Sequence, residues 1–171
     1  MDTFAAFIEP DSLVCSTFID YADDPEMRAK LADRRAVFGD CEFIREPHDL
    51  TSAVAGGLNA RPATVVWVDS LAIWVSNLML RANTQWRLRA PIAGYIRTEL
   101  AQLLEWSRQA QLTLHLVGAD VDYDFAARSD SAALYQYLLY QLNKFLYSHP
   151  QVATLWHTNG ITLALRNRAH R

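Results

Sequence analysis

The stretch from Thr64 to Asn77, Thr-Val-Val-Trp-Val-Asp-Ser-Leu-Ala-Ile-Trp-Val-Ser-Asn, most constrains what this chain can fold into. Five uncharged residues, three of them Val and one Trp, run straight into Asp69, and apolar residues at helical spacing (Leu71, Trp74, Val75, Leu78) follow at once. The order is strand, acid, helix. A strand apolar on both faces belongs inside a parallel sheet with helices on both sides, and its carboxyl end is where such sheets bind ligands. Asp69 and Ser70 are therefore expected at the mouth of a crevice. A second reading stays open, because Asp or Ser before an apolar helix is also an N-cap, which satisfies free backbone N–H groups and needs no ligand.

The rest of the chain supplies partners for that strand. Asp2 to Ile8 reads as a short helix closed by Pro10, and Ser12 to Ile19 as a strand. Asp24-Pro25-Glu26 combines a cap, a first-turn Pro and an acid at the positive end of the dipole, and so starts a helix that runs to about Phe38. Gly39-Asp40 breaks it, Cys41 to Ile44 makes a short strand, and Pro47 to Leu58 a second helix ended by Asn59 to Pro62. Asn83-Thr84-Gln85 reads as a loop. The spacing of Ile92, Tyr95, Leu100, Leu103, Leu104 and Trp106 predicts a long helix from Pro91 to Gln111 with these residues on its apolar side. Leu112 to Val117 is a strand, Val121 to Ser131 a polar loop, and Ala132 to Ser148 a helix rich in Leu and Tyr. Asn159-Gly160 between Val152–His157 and Ile161–Leu165 is a hairpin signal. Strands alternating with helices, then a terminal hairpin, predict an α/β fold with a mostly parallel sheet and antiparallel strands at one edge.

Composition narrows the function. At 171 residues and 51% hydrophobic, the chain is expected to form one domain, residues 1–171. A net charge of -3 gives no broad basic surface for nucleic acid. The N-terminus lacks a basic n-region and no apolar run reaches membrane-spanning length, so neither export nor a membrane anchor is expected. Cys15 and Cys41 have no CxxC spacing, which predicts buried thiols and a cytoplasmic protein.

Asp120, Asp122 and Asp124 form an Asp-x-Asp-x-Asp run after a strand, and hard cations take such oxygen clusters. The calcium-loop pattern fails because it lacks the Gly and the twelfth-position Glu, so a solvated acidic loop competes with a metal site. The five histidines share no ligand spacing. His115, inside an apolar strand, is expected to be a hydrogen-bonded core residue rather than a ligand or base. Ser12, Ser16 and Ser70 have no nucleophile-elbow context. Arg34-Arg35 is read as a solvated helix face or an anion contact.

Val68 to Leu78 resembles the Asp-Cys-Leu-Thr-Leu-Trp-Leu-Ser-Asn-Leu segment of the adenosylcobinamide kinase / adenosylcobinamide-phosphate guanylyltransferase family. Asp24-Pro25-Glu26-Met27 through Lys30-Leu31 is similar to that family's Asp-x-Glu-Met-x-x-Arg-Ile helix, and Glu46 to Leu50 to its Glu-x-Pro-x-Asp-Leu stretch. Leu142-Asn143 and Gly160 to Leu163 resemble its Asn-Gln helix and Gly-Ile-Pro-Leu ending. The resemblance implies a RecA-like three-layer α/β domain, a homo-oligomer (a trimer in the family), and work on adenosylcobinamide in cobalamin assembly.

The chain departs from the family where the chemistry lies. No Gly-x-x-x-x-Gly-Lys-[Ser/Thr] occurs in it, and the chain is expected to start in the helix after the family's first strand and phosphate loop. The family's guanylylated histidine corresponds to Arg34, and a protonated guanidinium cannot attack phosphorus. The family's Asn-Glu-Val-Gly becomes Ala119-Asp120-Val121-Asp122, and the Gln after the helix asparagine becomes Lys144. Two functions are expected on these grounds. One is a non-catalytic relative that acts as a binding or assembly partner of another protein. The other is an active enzyme using GTP or ATP with Mg, its phosphate loop lying outside this sequence or supplied by another chain. A sheet without the family's first strand is expected to close Leu112–Val117 directly onto Val152–His157, with self-association through the Tyr-rich helix.

Overall fold

The computed structural model describes residues 12–18, 24–39, 41–43, 49–81, 88–119, 129–158 and 161–166. In chain order the elements are β1 (Ser12–Ser16), α1 (Pro25–Phe38), β2 (Cys41–Phe43), α2 (Leu50–Ala60), β3 (Val65–Asp69), α3 (Leu71–Arg81), α4 (Arg89–Gln109), β4 (Thr113–Val117), α5 (Asp130–Ser148), β5 (Val152–Thr158) and β6 (Ile161–Arg166). The sheet order is β2-β1-β3-β4-β6-β5, with the first four strands parallel. From β1 the chain moves one way to β2 and then the other way to β3 and β4. A constant right-handed crossover therefore puts α1 on one face and α2 to α5 on the other.

The packing follows that division. Leu13 and Cys15 of β1, Val66 and Val68 of β3, and Leu114 and Leu116 of β4 join the apolar faces of α2, α3, α4 and α5 in the larger core. The alternate residues Val14, Val65, Trp67 and Val117 form a smaller cluster on the opposite face, against Phe38 of α1. This is the expected three-layer α/β arrangement. β3 lies inside the sheet with every residue buried, which explains why its sequence is apolar on both faces.

Local signals fix the helix ends. Asp24 caps α1, its Oδ1 accepting from the Met27 N–H at 2.9 Å, with Pro25 in the first turn. Asp49 caps α2 through the Ser52 N–H at 2.8 Å, so that helix starts at Leu50 rather than at Pro47. In α4 the buried side is Ala93, Ile96, Leu100, Leu103 and Leu104, while Tyr95 is 40% exposed. Tyr95 was expected on that side, but Ile96 is the residue in phase with Leu100 and Leu103. Cys15 is buried in β1 and is in no disulfide.

The far side of the sheet departs from expectation. β4 pairs antiparallel with β6 (His115 with Leu165, Val117 with Leu163), not with Val152–His157. β6 also pairs antiparallel with β5, so β5 runs parallel to β4 with one position between them. β6 fills that position and satisfies the outer backbone groups of β4, which would otherwise be left without partners. The Asn159-Gly160 turn, the expected helix at Asp2–Ile8 and the loop at Asn83–Gln85 lie outside the described residues.

Candidate functional site

β3 delivers Asp69 to the carboxyl end of the sheet, between Ser16 of β1 and Val117 of β4 in register. Asp69 is 2% exposed. The capping role that the sequence left open belongs to Ser70: its Oγ accepts from the Ile73 N–H at 3.2 Å and its carbonyl from the Trp74 N–H at 3.1 Å. The neighbours thus divide the work, Ser70 starting α3 and Asp69 remaining on the sheet as an acid. The peptide bond between them is cis.

The Asp69–Ser70 corner is held from β1. The N–H of Thr17 donates to the Asp69 carbonyl at 2.7 Å, while its Oγ1 donates to the Ser70 carbonyl at 2.7 Å and accepts from the Ser70 N–H at 3.0 Å. Asn77, on the second turn of α3, then donates from Nδ2 to the Thr17 carbonyl at 2.9 Å. Asn143 of α5 does the same for β4, its Nδ2 donating to the Ala119 carbonyl at 3.0 Å. The two asparagines inside the family-like segments therefore fix the chain just past strand ends. Ser16 lies beside Asp69, 2% exposed, with an Oγ that has no hydrogen-bond partner among the described residues.

Sequence reasoning missed Thr17, and no local pattern could have found it, because its side-chain partner is 53 residues away. Thr17→Val keeps the shape but strips the Ser70 N–H of its acceptor, so a loss of about 1–3 kcal/mol in chemical denaturation is expected. Thr17→Ser, which keeps the hydroxyl, should retain most of the stability.

On the α1 face, Trp67 and His115 face each other across β3 and β4, their rings stacked at 4.1 Å and 19°. A hydrogen bond was expected for His115; among the described residues its Nδ1 is buried without a partner, and the ring stacks on Trp67. Burial pushes its pKa down from 6.5 to about 4. Since the unfolded chain takes up this proton first, the contribution is fully present above pH 6.5 and is lost as pH falls toward 4. His115→Phe should flatten the fall in stability across that window relative to the parent, as read from denaturation midpoints at each pH.

A separate groove of about 630 Å³ opens between the start of α2 and the outer side of α4, lined by Asp49, Ser52, Gln102, Glu105 and Trp106 among others. Beneath it Glu99, 4% exposed, accepts from the Thr51 N–H at 3.0 Å and from the Thr51 hydroxyl at 3.2 Å. Burial raises the Glu99 carboxyl, whereas the Ser52 hydrogen bonds lower Asp49. None of the groove residues belongs to the Asp69 corner.

The structure thus brings Asp69 and Ser70 together with Ser16, Thr17 and Asn77. Arg34 falls within α1. Asp120, Asp122 and Asp124 lie outside the described residues, as does the loop expected around them. Among the described residues no group of three or more His, Cys, Asp or Glu could hold a metal ion, and no helix is long and apolar enough to cross a membrane.

The family model described as cobinamide kinase / cobinamide phosphate guanyltransferase matches residues 15–165. No curated protein and no solved structure matches the chain.

Proposed function

We propose a non-catalytic role for this chain, which belongs to the cobinamide kinase / cobinamide phosphate guanyltransferase family: it acts in cobalamin biosynthesis by binding and assembly rather than by transferring a phosphoryl or guanylyl group. Arg34 carries this reading. It stands where the resemblance puts the guanylylated histidine, within α1, and a guanidinium that stays protonated offers phosphorus no lone pair. The pairing of β4 with β6 supports the same conclusion, since the sheet position next to β4 is taken by the chain's own strand. Within these residues no Gly-x-x-x-x-Gly-Lys-[Ser/Thr] cradles a polyphosphate. The proposal places the protein in the cytoplasm, where Cys15 remains a thiol.

One observation favours an active nucleotide-dependent enzyme instead. The acid-bearing corner is intact, and Asp69 and Ser16 share a register row at the carboxyl end of the sheet, offering the oxygen atoms that Mg prefers. That reading needs a phosphate cradle from elsewhere, such as another chain.

Titration calorimetry with Mg-GTP separates the two. The proposal expects binding weaker than about millimolar, the bottom of the range for specific ligands. A micromolar constant would favour the enzyme.

A further inference from the structure

We propose that Glu99 and Asp49 form a pH-operated clasp between α4 and the first turn of α2, closed by a proton that the two carboxyls share and opened when that proton leaves. Their side chains hydrogen-bond each other across the two helices. A carboxylate only accepts, so a bond between two carboxyls requires a proton on one of them. The surroundings place it on Glu99. Asp49 is exposed, and its two oxygens already accept from the Ser52 N–H and the Ser52 hydroxyl, each at 2.8 Å, which favours the charged form. Glu99 is 4% exposed, and burial disfavours its charge. Its Oε1 takes both Thr51 bonds, at 3.0 and 3.2 Å, which leaves Oε2 to carry the proton and donate it to Asp49.

Among the described residues Asp49 is the charged group that acts on Glu99, and no Lys, Arg or His offsets it. Tyr95, one turn earlier on α4, faces both carboxyls and stays neutral through the acid range. α5 and β4 also pack on α4, and their described residues bring no charge to Glu99. Glu105, farther along α4, is engaged by Arg108, Gln109 and Gln151. When Glu99 ionises, its bond to Asp49 is lost and two carboxylates lie side by side, one of them buried. Burial, and after it Asp49, hold the Glu99 carboxyl above its ordinary 4.5 against the Thr51 bonds that lower it. An open turn lets Glu99 ionise at 4.5, while the closed turn keeps the proton to higher pH. Opening therefore grows easier as pH rises from 4.5 to the Glu99 pKa of the closed turn. Asp49, held below its ordinary 3.8, acts in the opposite sense as pH falls under that value, so the clasp is tightest between 3.8 and 4.5. Asp49, Thr51 and Ser52 form the α2 wall of the groove, and that wall loosens with the clasp.

Carbon-13 NMR of the glutamate carboxyls should give Glu99 a pKa above 4.5 in the parent and a lower one in Asp49→Asn, which keeps an acceptor for the Ser52 N–H but removes the charge. Hydrogen exchange reads the clasp locally, apart from His115 on the other face of the sheet. The protection factor of the Thr51 amide, corrected for the intrinsic pH dependence of exchange, should fall by up to about tenfold per pH unit between 4.5 and the Glu99 pKa. Glu99→Gln can accept from Thr51 and donate from Nε2 to Asp49 without titrating, so its Thr51 protection should stay level through the same range. The titration and exchange of the parent decide the matter even where a variant fails to fold. A Glu99 pKa at or below 4.5, a Glu99 pKa unmoved by Asp49→Asn, or a Thr51 protection that is level in the parent or falls equally in Glu99→Gln would each overturn the proposal.

Discussion

Trp74→Ala is expected to cost about 3–5 kcal/mol, the range for removing a large buried aromatic, and to lower the thermal midpoint by roughly 6–20 °C in a chain of this size. Trp74 is fully buried on the inner face of α3, in the core that joins β1, β3 and β4 to four helices, and its ring lies 6.5 Å from that of Tyr95. Its position follows from the corner one turn earlier, since its N–H closes the first turn of α3 on the Ser70 carbonyl. Loss of the indole therefore weakens packing behind the Asp69–Ser70 corner as well as in the core. Trp74→Phe gives the sharper contrast. The indole N–H is buried without a hydrogen-bond partner among the described residues, so Phe removes an unsatisfied donor while keeping most of the apolar volume. It should cost far less than Ala in the same denaturation experiment. Equal losses for the two variants would show that the indole is held by something other than packing.

The strand-acid-helix unit was legible because it rests on local signals: an uncharged run that ends on Asp69 and a helical apolar period that begins at Leu71. Asp24 with Pro25 was legible for the same reason. The division between Asp69 and Ser70 was not, because both residue types cap helices and only the three-dimensional corner shows whose oxygen meets the Ile73 N–H. Thr17 was invisible, since one hydroxyl whose partner is 53 residues distant leaves no periodicity to read. Tyr95 and Ile96 are adjacent apolar residues, and only the phase of the whole helix decides which of them is buried. The strand beside β4 was misassigned because Val152–Thr158 and Ile161–Arg166 have the same strand-like composition. Their order in the sheet depends on how far the crossover from α5 reaches. Of the candidate site residues, Asp69 and Ser70 stand together at one corner, with Arg34 in α1.

The second large effect expected is an all-or-none one, the absence of guanylyl transfer to the protein. That transfer needs a nucleophile with a free lone pair poised at the α-phosphorus, and Arg34, in the position that resembles the family's histidine, is protonated at every accessible pH. Two histidines of the described residues have other surroundings. His115 is stacked on Trp67 in the middle of the sheet, and His149 lies at the end of α5, with its ring 4.9 Å from that of Phe145. Neither lies on the helix that carries Arg34.

Incubation of the chain, purified from its native host, with Mg and GTP labelled at the α-phosphate tests the non-catalytic reading most directly. The account predicts no acid-labile, alkali-stable label on the protein after removal of free nucleotide, and none on Arg34→Lys. A labelled histidine peptide recovered by proteolysis and mass spectrometry would contradict it, and would make the chain a working guanylyltransferase with a relocated nucleophile.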